Sequence, residues 1–113
     1  MGILQVLKIL IALATAATGG LGFVKPDAVY GFTGLNVTGA RGVSEIRAIF
    51  GGLFIALGIT PLFLGASAYR MLGIGYLAIA AARIFSMFFD TSFDQSNLIS
   101  LVVEIVFGVI LVI

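Results

Sequence analysis

Neither cysteine nor histidine occurs in this chain of 113 residues. Their absence removes thiol nucleophiles, disulfides, Cys- or His-ligated haem, Cys-ligated iron–sulfur clusters and ordinary structural zinc sites. It also removes the side chain most often used to shuttle protons near neutral pH. Only carboxylates remain as metal ligands, and no metal, cofactor or catalytic set is expected. Charge is scarce as well. Charged residues make up 10% of the chain and the net charge is +1, against about 25% charged in soluble domains. No basic patch with interleaved aromatics exists, which excludes a nucleic-acid surface.

What is abundant is apolar surface. Hydrophobic residues form 61% of the sequence and the mean hydropathy is +1.25. A chain this short cannot bury so much in a water-soluble core, so lipid must cover much of it. Four apolar segments predict membrane spans at about 3–23, 43–64, 71–89 and 97–113. A span needs about 20 residues, within a range of about 17–25, and the last segment is short unless it tilts or thins the bilayer. The first is read as a retained helix rather than a cleaved leader, because Lys8 lies inside a stretch long enough to cross.

The connections between the last three spans are short and make neighbours antiparallel. The expectation is an all-α, integral membrane, antiparallel four-helix bundle: one domain over residues 1–113, with both termini on the same side. The connection over residues 24–42 is long and glycine-rich, and its apolar side chains suit folding back on the membrane surface. Ser44 is placed to cap the second helix, and Asn97 or Ser96 the fourth. Pro61 is placed to weaken the end of the second.

Lys8 and Arg70 mark the terminal side; Lys25 and Arg41 mark the loop side. The positive-inside tally is therefore balanced. The very short loop carrying Arg70 tips the expectation toward cytoplasmic termini.

Several charges interrupt the apolar segments. Each costs on the order of 2.5–3.5 kcal/mol to insert into hydrocarbon, so such groups pair or face an interior. Candidates for a buried charge cluster or a ligand-binding site are Arg47, Arg83, Glu104, Glu45, Arg41 and Asp90. At 1.5 Å rise per residue, Arg47, Arg83 and Glu104 fall in one layer on the loop side. The pairing left open is Glu104 with Arg47, Arg83 or both, with Asp90 closing one end. Glu45 lies about 200° around the helix from Arg47 and can pair with Arg41 four residues before it.

Faces support an interior. Asn97, Ser100, Glu104 and Gly108 share a stripe on the fourth helix. Tyr76, Ala80, Arg83 and Asp90 do so on the third, and Ser44, Arg47, Gly51 and Gly58 on the second. Small residues also recur every fourth position, with Ala12, Ala16 and Gly20 on the first span, Ala48, Gly52, Ala56 and Thr60 on the second, and Ala78, Ala82 and Ser86 on the third. Together with Gly51 these are candidate helix-packing positions, because close backbone approach drives helix association in lipid. The alternative use of such a stripe is a homodimer seam.

The run Ala40-Arg41-Gly42-Val43-Ser44-Glu45-Ile46-Arg47-Ala48-Ile49-Phe50-Gly51-Gly52 resembles the hallmark of a small bacterial membrane family, domain of unknown function 4345. The later Ala82-Arg83, Asp90 and Glu104 are similar too. The likeness covers nearly the whole chain, and a more distant one extends to DoxX-type four-helix membrane proteins. The resemblance implies four transmembrane helices in a bacterial inner membrane and no established reaction. It marks Arg41, Glu45, Arg47, Gly51, Gly52, Arg83 and Glu104 without assigning roles.

Three functions follow in order of support. The first is a structural or accessory bundle that packs on itself or on a larger membrane complex. The second is a binder or carrier of a small lipophilic or anionic molecule, such as a quinone or lipid headgroup. The third is an accessory to membrane redox chemistry, which rests on the distant likeness alone.

Overall fold

The computed structural model describes residues 2–113, which are almost entirely helical and contain no strand. Helix α1 spans Ile3–Val24. Its interior threonines do not leave hydroxyls bare: Thr15 donates to the Ile11 carbonyl and Thr18 to the Ala14 carbonyl, both at 2.9 Å. The helix stops because Pro26 disfavours helical geometry at the residue before it. Lys25 accordingly has φ −128° and ψ 79°.

A 3₁₀ turn over Pro26–Val29 leads into α2, a single turn at Tyr30–Thr33. Gly34 ends α2 at φ 77°, a left-handed conformation that favours glycine. The long connection is thus partly helical, and Pro26 and Val29 are buried rather than afloat.

A continuous helical rod then runs from Gly39 to Leu64. It comprises α3 at Gly39–Glu45, a π-helical segment at Ile46–Leu53, and α4 at Phe54–Leu64. The rod begins earlier than the apolar boundary near residue 43. Ser44 therefore lies inside it and Thr38 occupies the cap position. Apolarity marks where water is excluded, whereas hydrogen bonding carries a helix on into polar surroundings. Pro61 is accommodated within α4, fully buried.

Gly65, at φ 79°, separates α4 from α5, which spans Ala66–Phe89. Helix α6 spans Gln95–Val112, with Asp94 at its cap. The Asp94 carboxylate accepts the Asn97 amide at 2.8 Å, so the cap lies just before the two residues expected to supply it. Four helices are long and apolar enough to cross a membrane: Ile3–Val24, Gly39–Leu64, Ala66–Phe89 and Gln95–Val112.

The chain divides into two compact units: Ile9–Leu64, and the first residues of α1 through Lys8 together with Gly65–Ile113. In the first unit α1 lies antiparallel to the rod. Gly22 meets Phe50, Gly19 meets Gly51 and Ile55, and Gly58 meets Ala12 and Ala16. In the second, α6 returns along α5. Gly73 abuts Gly108, Leu111 and Val112, and Tyr76 sets its ring edge-on to Phe107 with centroids 5.5 Å apart.

The close approaches use Gly51, Gly58, Gly73 and Gly108, all buried, whereas Ala48, Gly52, Ala56, Ala78 and Ala82 are exposed. The stripes of the second and third spans thus lie off these close approaches, whereas Ala12 and Ala16 of the first-span stripe lie in one of them, against Gly58. On the rod, the π-helical segment adds a residue to the turn and shifts the phase. On α5 the buried face runs through Tyr69, Leu72, Gly73, Ala80 and Met87.

A methyl group on Gly58 would collide with the backbone of Ala12 and Ala16, whereas one on Gly52 would find its nearest neighbour at 3.9 Å. Gly58→Ala should therefore destabilise the protein by about 1–3 kcal/mol. Gly52→Ala should be neutral or slightly stabilising, since alanine is the better helix former. Unfolding of detergent-purified protein by a denaturing surfactant measures both.

Candidate functional site

The charged residues of the apolar helices form two separate arrangements. The first belongs to the α5–α6 hairpin. Arg83 projects from α5 toward Glu104 on α6 and meets it fork to fork. Its Nε donates to Oε1 at 2.8 Å and its Nη2 to Oε2 at 2.6 Å. The third donor, Nη1, reaches the Asn97 side-chain oxygen at 2.8 Å. Asn97 in turn donates from Nδ2 to the Ser92 carbonyl at 2.9 Å. The two contacts together fix which end of the amide is oxygen.

Glu104 is 8% exposed and is the one buried charged residue among those described. The planar guanidinium suits this task because it engages both carboxylate oxygens at once. No buried side-chain nitrogen or oxygen among the described residues lacks a hydrogen bond. Asp90 lies outside this clamp: it is exposed and accepts the Ser86 hydroxyl at 2.6 Å.

The second arrangement belongs to the Ile9–Leu64 unit. Arg47 stands at the start of the π-helical segment, and its Nη1 donates to the Phe23 carbonyl at 2.6 Å. Phe23 is in the last turn of α1, where carbonyls have no intrahelical partner, so Arg47 acts as a side-chain cap from another helix. Its guanidinium also sits 5.9 Å from the centroid of the Phe23 ring. Gly51 makes this possible, because a side chain there would strike Phe23. Arg41 and Glu45 pair at 3.1 Å across one helical turn, with side chains 88% and 58% exposed. They are a surface pair rather than part of a buried layer, and such pairs contribute little to stability.

Sequence reasoning missed three participants. Asn97 was visible as a cap candidate and as a polar neighbour of Glu104 on the helix stripe, not as a partner of Arg83. The Phe23 carbonyl is backbone and leaves no residue-type signal. The π-helical segment has no periodic signature, although two adjacent glycines lie within it. Among the described residues no cluster of acidic side chains could hold a metal ion.

These features define a class: a small all-helical protein with four membrane-length helices, an arginine–glutamate clamp and an arginine-capped helix end. The chain belongs to the family described as domain of unknown function (DUF4345), whose model matches residues 3–113. No curated protein and no solved structure matches it.

Removing one partner of the clamp strands the other. Glu104→Gln should cost on the order of 3 kcal/mol, the lower end for buried pairs, because Arg83 keeps some exposure. Replacing both with Gln should recover part of that loss, since an unpaired charge is worse than two neutral groups. A double-mutant cycle on unfolding free energy measures the coupling, and additive losses would contradict it.

Proposed function

We propose that this chain is a multi-pass integral membrane protein of the cell membrane, its four helices forming one antiparallel bundle that serves a structural or accessory role. The exposed apolar surface supports the membrane part. Phe63, Leu64, Phe85, Phe88, Phe89, Val102 and Ile113 are all well exposed, and patches of that kind in water mark aggregation or partner sites.

The observation that carries the accessory role is the neutralised clamp. Both oxygens of Glu104 are engaged by Arg83. A carboxylate held in this way is a poor general base, and a guanidinium so held is a poor proton donor. The pair is suited to fixing the register of α5 against α6 instead. The partner is a second copy of the chain or a larger membrane complex, and both termini face the cytoplasm.

Sodium carbonate washing should leave the chain in the membrane pellet, and detergent should release it. Native mass spectrometry after gentle extraction should then find a discrete homo-oligomer or a foreign subunit at fixed stoichiometry. A bare monomer would overturn the accessory reading, and release by carbonate would overturn the membrane reading. A reporter fused at the C-terminus should be active in the cytoplasm; a periplasmic signal would reverse the orientation.

A further inference from the structure

Among the described residues the ion pairs are Arg41–Glu45 and Arg83–Glu104, so Arg47 has no carboxylate partner. It nevertheless stands within the helical rod Gly39–Leu64, against the end of α1, where Phe23 and Val24 are exposed. A guanidinium on an apolar, lipid-facing surface needs a counter-charge, and the dense anions at that boundary are lipid phosphodiesters.

Three details favour a site over a loose surface charge. The bond to the Phe23 carbonyl at 2.6 Å fixes the fork, so less freedom is lost when its remaining N–H groups bind. The last turn of α1 puts Arg47 at the level where that helix ends, which is headgroup depth for a membrane span. Lys25 follows Phe23 by two residues, within about 7 Å of chain, is exposed, and has no carboxylate partner. Exposed Asp27 offsets part of this charge, leaving a local excess that matches one phosphodiester.

We infer that Arg47 and Lys25, at the end of α1, bind the phosphodiester headgroup of an anionic membrane lipid whose acyl chains lie along the apolar surface at Phe23 and Val24. The inference rests on the membrane reading above, and the carbonate wash tests that reading separately.

Native mass spectrometry of the detergent-solubilised full chain, titrated with phosphatidylglycerol or with phosphatidylcholine of matched chains, tests the site. The wild-type protein should retain phosphatidylglycerol preferentially. Arg47→Gln should weaken that binding about fivefold, the factor equivalent to about 1 kcal/mol per cation near an anionic surface. Lys25→Gln should do the same without touching the α1 cap, which keeps the test valid if the Arg47 variant unfolds. Arg41→Gln removes equal charge from the neighbouring Glu45 pair and should leave binding unchanged.

Equal losses in all three variants would reduce the effect to general surface charge and overturn the site. So would retention of both lipids alike, or displacement of phosphatidylglycerol by millimolar inorganic phosphate, which would assign the cations to a free anion.

Discussion

A guanidinium and a carboxylate on facing helices are tolerable among apolar side chains only when each satisfies the other. Arg83 and Glu104 meet that condition with two parallel hydrogen bonds, and Asn97 takes a third donor. The consequence is geometric more than energetic. Replacing such a pair with apolar residues often leaves stability unchanged or improved, whereas an offset partner is heavily penalised. The clamp therefore specifies one sliding position of α5 against α6. Gly73 and Gly108, packed further along the same hairpin, need that position, because each leaves room for side chains or backbone of the other helix. Polar specification at one end and close small-residue packing at the other describe the same register.

The Ile9–Leu64 unit solves a different problem. Helix α1 ends in carbonyls that need donors, and a proline just beyond prevents the chain from continuing to supply them. Lys25 returns its amide to the Leu21 carbonyl at 2.8 Å, and Arg47 supplies the donor for Phe23. The positive charge there also complements the negative end of the helix dipole. One side chain thus caps a helix, sits over a ring and remains available to an outside anion.

Much of the helix content was legible in composition. Runs with so few charges and so many Leu, Ile and Ala residues leave little alternative to membrane-length helices; the observed α1 and α6 match the expected segments to within two residues, whereas α5 begins at Ala66, five residues before the expected start. The end of the rod at Leu64 was legible too, but its start was not. Residues 39–42 are small or charged and carry no apolar signal, yet they continue the hydrogen-bond ladder.

The stripe through Asn97, Ser100, Glu104 and Gly108 was readable because α6 keeps its period of 3.6. The stripe through Ala48, Gly52 and Ala56 lies off the contact with α1 because the rod does not keep that period across Ile46–Leu53. The fate of Arg47 was hidden for another reason. Its acceptor is a backbone oxygen, whose availability follows from where a helix ends rather than from any residue type.

That wider turn also records how the segment is built. A π-helical turn holds one residue more than an α-helical turn would, and one residue corresponds to about 100° of rotation about a straight helix. The wide turn takes up that extra residue, so the turns before and after Ile46–Leu53 keep the phase that an α-helix one residue shorter would give them. Chains that keep the same packing on either side of this stretch can therefore differ in length by one residue within it, the shorter ones coiling as plain α-helix.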